Sequence, residues 1–205
     1  MKRGILMVLS APAGAGKDTV CELLLNEVPD LRYSVSATTR PMRSYEVEGK
    51  SYFFMTRTGF ENKLEQNGFL EHVEYAGNYY GTPKTFVEEQ LSQGISVILK
   101  IEVMGAAQVK ASGVDGVFVF LVPPKFSDLE ARLRKRGSES EKEIQERLEI
   151  AREELTNVSM YDYVVVNETV EEAVAQMKSI LVAEKHKRDK MMNLEIFEHR
   201  ANKKE

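Results

Sequence analysis

The residues best suited to chemistry lie in one loop near the start of the chain. An apolar run over residues 5–9 leads into small residues that end in Gly16-Lys17, and apolar residues at helical spacing follow. A strand that feeds a loop of exposed backbone N–H groups, one lysine and a helix N-terminus forms a concave site for phosphate groups. The sequence therefore predicts a phosphate-binding loop made of Ala11, Pro12, Ala13, Gly14, Ala15, Gly16, Lys17, Asp18 and Thr19.

This loop departs from the usual spacing GxxxxGK[ST] at two positions. Ala11 stands in place of the first glycine, and Asp18 stands in place of the Ser or Thr that follows the lysine. The alternative interpretation is a surface turn with a solvated lysine. The buried-strand pattern before the loop and the amphipathic pattern after it favour the phosphate site.

Composition limits the class of protein. The chain has 205 residues, of which 42% are hydrophobic and 29% charged, which is typical of one globular unit. A formal net charge of −4 argues against a general nucleic-acid binder. The single cysteine, Cys21, excludes a disulfide framework and favours a reducing cytoplasm. No segment approaches the roughly 20 apolar residues of a membrane span, and nothing indicates the oligomeric state.

The order of the apolar runs predicts an α/β fold with a central parallel sheet, because each run is followed by a helical pattern. The runs are residues 5–9, 96–101, 117–122 and 163–166. Residues of about 34–94 break this rhythm and predict an inserted lobe of mixed or antiparallel sheet. In this lobe we expect strands at 33–36, 51–54 and 69–74 and helices near 60–66 and 84–93. Residues 136–141 are polar between arginine-bearing helices, which is typical of a hinged lid.

Two further segments carry groups suited to a nucleotide. Arg40 and Arg43 lie three residues apart in a loop that Pro41 keeps out of helix, and two guanidinium groups suit phosphate oxygens. Residues 69–83 interleave Glu71 with tyrosines and Thr82, which suits a flat base with donors on its edge. The alternatives are a pair of surface arginines and an exposed strand carboxylate.

At this point the chain resembles guanylate kinase, the family of ATP-dependent GMP phosphotransferases among the P-loop nucleoside monophosphate kinases. The resemblance runs over about residues 4–184, with the motifs in family order. They are the Lys17 loop, SATTRPMR (36–43), GKSYFF (49–54), FLEHVEYAGNYYGT (69–82), RLRKRGSESEKEIQERL (132–148) and DYVVVN (162–167).

The resemblance implies a single domain with a three-layer P-loop kinase fold. It further implies a GMP-binding lobe at about 34–94, a small lid at about 136–150 and a charged C-terminal tail at 185–205. The implied reaction is ATP + GMP to ADP + GDP, with dGMP also an acceptor. The partners expected are therefore ATP and GMP, with neither nucleic acid nor membrane. The alternatives are a non-catalytic binding module of the same fold and a kinase for another monophosphate.

The resemblance also implies roles for individual residues. The GMP-binding residues are Ser36, Arg40, Arg43, Tyr52, Glu71, Tyr80 and Thr82, of which Glu71 and Thr82 read the guanine edge. On the ATP side, Arg136 and Arg147 close on the triphosphate, Arg132 lies nearby, and Asn167 lies close to the adenine. The expected catalytic groups are Lys17, Arg40, Arg43, Arg136 and Arg147. For Arg132, Arg136 and Arg147 the alternative is a set of solvated helix charges paired with nearby glutamates.

Mg²⁺ is the expected cofactor, held by Asp18, Thr19 and Glu102 directly or through water. For Asp18 the alternative is an outward-facing acid that favours the helix dipole. Lys100 stands where the family usually has an acidic residue, and a lysine cannot accept a hydrogen bond from guanine. Either Glu71 and Thr82 suffice to read the base, or GMP binding is weaker than in typical members.

Overall fold

The computed structural model describes residues 3–136 and 140–191, except for the side chain of Arg136. Within these ranges the chain forms nine strands and eight α-helices. The strands are β1 Leu6–Ser10, β2 Leu31–Tyr33, β3 Ala37–Thr38, β4 Phe53–Phe54, β5 Phe69–Tyr75, β6 Asn78–Pro83, β7 Ser96–Lys100, β8 Val117–Val122 and β9 Tyr163–Val166. The helices are α1 Lys17–Glu27, α2 Arg57–Glu65, α3 Lys84–Ser92, α4 Val103–Ala111, α5 Phe126–Arg136, α6 Glu141–Thr156, α7 Val170–Lys185 and α8 Arg188–Met191.

Five strands form a central sheet in the order β2-β7-β1-β8-β9, and every pair in it is parallel. Strand β1 lies in the middle and is buried along its whole length. Its alternate residues face two apolar layers: Met7 and Leu9 pack towards α1, α5, α6 and α7, and Leu6 and Val8 pack towards α3 and α4. Burial on both faces explains why β1 reads as a continuous apolar run. The predicted three-layer α/β architecture is confirmed.

A second, mixed sheet has the order β4-β3-β6-β5. Strands β3 and β4 are parallel, whereas β6 runs antiparallel to both β3 and β5. Its own small core is built on Phe60 of α2, which is fully buried and stacks on Phe69 and Tyr79 at centroid distances of 4.2 and 5.2 Å. The second sheet is therefore anchored by aromatic packing separate from the central core.

The lobe differs in two details from the sequence-based expectation. Residues 33–36 do not form one strand of the lobe, because β2 ends at Tyr33 in the central sheet and β3 begins at Ala37 in the second sheet. Strand β6, which pairs with both β3 and β5, was not predicted. The chain therefore crosses between the two sheets within residues 34–36.

We predict that Phe60→Ala lowers the free energy of unfolding by about 3–5 kcal/mol, because it removes a fully buried ring from a small core. Chemical denaturation measures this loss. Tyr75→Ala in β5 is the matched control, since Tyr75 is 71% exposed and its removal is expected to cost no more than about 0.5 kcal/mol. Equal losses in the two variants would contradict the small aromatic core.

Candidate active site

The phosphate-binding loop joins the end of β1 to the first residue of α1. Gly14 and Gly16 adopt φ values of +88° and +93°, which side chains rarely tolerate. A Cβ atom on Gly16 would also lie 2.6 Å from Nδ2 of Asn167. Glycine is thus required at position 16 for two reasons, the positive φ of the backbone and the lack of space for a side chain. The sequence pattern did not show which of these reasons applies.

Two side chains, Asn167 and Arg132, hold this loop through hydrogen bonds to one of its carbonyl groups. The carbonyl oxygen of Ala15 accepts hydrogen bonds from Asn167 Nδ2 at 2.7 Å and from Arg132 Nη1 at 3.2 Å. Arg132 Nη2 also donates to the carbonyl oxygen of Asn167 at 3.2 Å, and Asn167 itself is buried just beyond β9. Arg132 is therefore a support of the loop rather than a solvated helix charge. The role of Asn167 towards adenine stays a prediction.

Lys17 points from the start of α1 towards the end of β7. Its Nζ donates to the carbonyl oxygen of Ile101 at 3.1 Å and to Glu102 Oε1 at 2.9 Å. The Lys17 side chain is only 13% exposed, whereas Glu102, the N-cap residue of α4, is 71% exposed. An ammonium group in this position needs a negative partner, and the exposed carboxylate of Glu102 supplies it.

Two of the three sequence departures, Lys100 and Asp18, contact each other. Lys100, the last residue of β7, forms an ion pair with Asp18 in the first turn of α1, and its Nζ lies 5.6 Å from the centre of the Tyr33 ring. Burial lowers the pKa of Lys100, but the hydrogen bond to Asp18 and the neighbouring Tyr33 outweigh this effect, so the pKa is raised overall. Two ion pairs, Lys17 with Glu102 and Lys100 with Asp18, therefore join the first turn of α1 to the segment between β7 and α4.

Arg40 and its neighbours form the second cationic group. The guanidinium binds Glu46 through two hydrogen bonds, Nη2 to Oε1 at 2.6 Å and Nη1 to Oε2 at 3.0 Å. It also lies over the Tyr52 ring at 5.5 Å. The Glu46 carboxylate raises the pKa of Arg40, and the nearby Tyr80 hydroxyl contributes less. Arg43 is exposed, and its Nη1 donates to the hydroxyl of Tyr45 at 2.8 Å.

Glu71 is buried in the second sheet beside Thr82. The Thr82 hydroxyl donates to Glu71 Oε1 at 2.6 Å, and Glu71 is 8% exposed. Burial raises the pKa of Glu71, although the Thr82 hydrogen bond acts in the opposite direction. On α4, the Gln108 amide forms hydrogen bonds of 3.0 and 3.1 Å with both backbone groups of His72. These bonds fix the backbone next to Glu71, and sequence analysis did not identify Gln108.

One cavity extends between Glu71 on one side and Lys100 and Glu102 on the other. It has a volume of about 570 Å³, which is in the range of small-molecule sites. Its lining comes from the ends of the central strands and from the second sheet. Residues predicted from sequence that line it are Ser36, Tyr52, Glu71, Tyr80, Lys100 and Glu102, and Tyr33, Met104, Gly105 and Gln108 are among the others. The structure thus gathers Glu71 and three of the predicted phosphate-side residues around one space. Thr82 and Arg40 do not line it themselves, but each contacts a residue that does.

Other predicted residues are not gathered there. Thr19 is exposed in the first turn of α1, and Arg147 is exposed on α6. The side chain of Arg136 and residues 137–139 lie outside the described part of the chain, as do residues 192–205 of the predicted tail. Glu46 is the main site residue that sequence analysis missed. A carboxylate three residues after Arg43, in a loop with two arginines, was the available signal.

The carboxylates near the loop suit Mg²⁺ only in part. Among residues 3–136 and 140–191, no group of three or more His, Cys, Asp or Glu side chains is arranged to hold a metal ion. Mg²⁺ in kinases is commonly held by one or two carboxylates together with substrate phosphates. Asp18 and Glu102, which flank Lys17, fit that smaller requirement.

Most of the chain is similar to known proteins of one family. A family model described as Guanylate kinase matches residues 3–184, a span that includes both sheets. The guanylate kinase of Desulfitobacterium hafniense is 52% identical over 182 residues, which cover 89% of this chain and 91% of the relative. That of Caldanaerobacter subterraneus subsp. tengcongensis is 46% identical and covers 94% of both chains. A crystal structure of guanylate kinase from Anaplasma phagocytophilum has a TM-score of 0.67 at 32% identity, covering 94% of this chain and 95% of that one.

We predict that Asn167→Ala lowers the free energy of unfolding by about 1–3 kcal/mol, because the buried carbonyl of Ala15 loses its shorter hydrogen bond. Thermal or chemical unfolding measures this effect. Asn157→Ala is the matched control, since the Asn157 amide makes a similar 3.0 Å bond to the Glu153 carbonyl oxygen on the surface. Its loss is expected to stay within about 0.5 kcal/mol. A loss at Asn167 no larger than at Asn157 would contradict the supporting role.

Proposed function

This chain belongs to the guanylate kinase family, and from that premise we propose that it transfers the γ-phosphoryl group of ATP to GMP, giving ADP and GDP. We propose dGMP as a second acceptor. The observation that carries the proposal is a cavity lined both by the buried Glu71, which Thr82 bonds, and by Ile101 and Glu102, which bond Lys17 of the phosphate loop. A base-reading carboxylate and the lysine of a phosphate loop at the borders of one cavity suit a phosphotransferase better than a peptide-binding surface.

Glu71 is proposed to select guanine. Guanine offers its N1–H and 2-amino groups as neighbouring donors, and a carboxylate accepts from both. Thr82 donates to Glu71 Oε1, which fixes the carboxylate and leaves Oε2 and the second lone pair of Oε1 to accept from the base. Adenine has no N1–H, so AMP would leave a buried carboxylate oxygen unpaired, which is a costly mismatch. Selection of GMP over AMP follows from this difference.

The acceptor phosphate is proposed to lie at the other end of the cavity, against Ser36, Arg40, Arg43, Tyr52 and Tyr80. Tyr52 and Tyr80 line the cavity and lie beside the Arg40 guanidinium. A planar guanidinium binds two phosphate oxygens at once, which fixes the orientation of the phosphate and also neutralises part of its charge.

The ATP phosphates are proposed to bind the N–H groups of loop residues 11–19 and the Lys17 ammonium, with Asn167 close to the adenine. Lys17 would then exchange Glu102 for the phosphates. Arg136 and Arg147 would approach from a lid at about 136–150, and the acceptor lobe at about 34–94 would close from the other side within a single domain. Closure excludes water that would otherwise hydrolyse ATP.

We propose that an oxygen of the GMP phosphate attacks the γ-phosphorus of ATP while ADP leaves, so no protein nucleophile is needed. The transition state spreads negative charge over the transferred oxygens, and Lys17, Arg40, Arg43, Arg136 and Arg147 would stabilise that charge. Mg²⁺, when bound with ATP, supplies further neutralisation of the phosphates. Asp18, Thr19 and Glu102 would hold it directly or through water.

None of the helices within the described ranges is long and apolar enough to cross a membrane. We propose a cytoplasmic location, where ATP and GMP are available and the one thiol, at Cys21, stays reduced.

The direct test is release of ADP from ATP with GMP, dGMP, AMP, CMP or UMP as acceptor. We expect release with GMP and dGMP only. We also expect Lys17→Met to lower kcat by at least about 100-fold, because it removes a positive charge that stabilises the transferred phosphoryl group. Release with AMP, CMP or UMP but not GMP would contradict the assignment of Glu71. No release with any acceptor would contradict enzymatic activity itself.

We predict that guanosine binding weakens as the pH falls through the raised pKa of Glu71. The ionised carboxylate accepts from guanine, whereas the protonated form presents its own O–H to the N1–H, so affinity is present above that pKa and lost below it. Calorimetric titration with guanosine from about pH 8 to pH 5 measures this without titration of a substrate phosphate.

Glu71→Gln should bind guanosine weakly at every pH in this range. Glu74→Gln, on the exposed part of β5, should keep the original pH dependence. Binding of guanosine to the unaltered protein that does not change with pH would contradict base reading by an ionised Glu71.

We predict that Lys100→Asp in an Asp18→Ser background lowers the KM for GMP, because it adds an acceptor beside the base. Asp18 is replaced so that two carboxylates do not face each other across the present ion pair. Asp18→Ser alone is the control for loss of the pair. A KM that stays at the value of this control would show that Glu71 and Thr82 suffice to read the base.

A further inference from the structure

The Arg40 guanidinium is held from one end. Glu46 binds Nη1 and Nη2 together, and Nη1 also donates to the carbonyl oxygen of Pro41 at 2.8 Å. The same Glu46 Oε2 accepts from the backbone N–H of Arg43 at 2.7 Å. The exposed fractions are 7% for the Glu46 side chain and 16% for that of Arg40. One nearly buried carboxylate therefore ties together both arginines of the loop.

The donors that remain on Arg40 have a definite geometry. A guanidinium has five N–H groups, and hydrogen bonds among the described residues to Glu46 and Pro41 occupy three of them, with the Tyr80 hydroxyl a further polar partner of the group. The remaining two are the Nε–H and the second hydrogen on Nη2, which point in parallel along the side edge of the group. This edge is the one that binds two oxygens of a phosphate side by side.

We propose that Glu46 is a positioning residue for the acceptor phosphate. It holds the end of the Arg40 guanidinium so that the side edge faces the cavity at Tyr52 and Tyr80, and it fixes the Arg43 backbone in the same step. This inference rests on the proposed function, because it assigns the anion on that edge to the phosphate of GMP.

A different arrangement would make Glu46 a competitor. If the phosphate used the end of the guanidinium, Glu46 would have to leave, and its removal would strengthen GMP binding. Its burial and its bond to the Arg43 N–H both favour a carboxylate that stays in place when the substrate binds. The two arrangements predict opposite changes in affinity.

The test is Glu46→Gln, which keeps the shape of the side chain and removes its charge. Calorimetric titration compares GMP with guanosine, which has the base and ribose but no phosphate. Because the variant loses charge-assisted hydrogen bonds to Arg40, we expect the Kd for GMP to rise about 10-fold to 100-fold. We expect the Kd for guanosine to stay within about twofold, and in steady-state assays the KM for ATP to change little.

Glu48→Gln is the matched control. Glu48 lies in the same loop, where its Oε2 accepts from the Phe54 N–H at 3.1 Å, and Arg40 is not among its hydrogen-bond partners in the described residues. We expect it to bind GMP and guanosine like the unaltered protein. Thermal unfolding of both variants separates loss of folding from loss of positioning.

A second pair of variants keeps the test decisive if Glu46→Gln folds poorly. Glu46→Asp retains the charge and should recover part of the GMP affinity. In an Arg40→Ala background, Glu46→Gln should weaken GMP binding much less than it does in the unaltered protein, because most of its effect passes through Arg40.

Unchanged or tighter GMP binding by Glu46→Gln, or an equal loss for guanosine, would overturn the inference. Failure of the proposed function is distinguishable, since it would appear as absent GMP phosphorylation by the unaltered protein.

Discussion

Each of the two largely buried cations in this site forms an ion pair with a carboxylate of the protein itself. Lys17 is paired with Glu102 and Arg40 with Glu46, and both cationic side chains are largely shielded from solvent. Desolvating these cations alone would be costly, so each paired carboxylate lowers the free energy of the empty site. The partners differ in freedom, because Glu102 is 71% exposed and Glu46 only 7%. We infer that Lys17 is poised to change partner, whereas Arg40 is fixed in place.

The fold serves this charge arrangement by bringing distant segments together. Parallel strands place the ends of β1 and β7 side by side, so the loop after β1 meets Glu102 and Lys100. Asn167, just beyond β9, reaches across to hold the same loop at Ala15. Ligands in open α/β sheets bind beyond the carboxyl ends of the strands, and this cavity follows that rule. The second sheet then adds a buried carboxylate, Glu71, to the lining of the cavity.

The central sheet was predictable because strands buried on both faces leave continuous apolar runs, as in β1 and β8. The phosphate loop and the Glu71-Thr82 pair were predictable because their residues lie close together in the chain. The strand expected at 33–36 was wrong, since β2 and β3, which flank these residues, are only three and two residues long and carry no signal of their pairing partners. The Lys100-Asp18 pair joins residues 82 positions apart, and the Arg132-Ala15 bond joins residues 117 apart. Contacts of this kind depend on topology, which local patterns do not contain.

The central claim is that charges from separate segments form one site for two nucleotides placed end to end. Its most direct test is calorimetric titration with a single ligand in which adenosine and guanosine are joined through five phosphates. If both halves bind together, the second half acts at high effective concentration, and the Kd should be at least about 100-fold below that of GMP or ATP alone. A Kd no lower than that of the better single nucleotide would contradict the account.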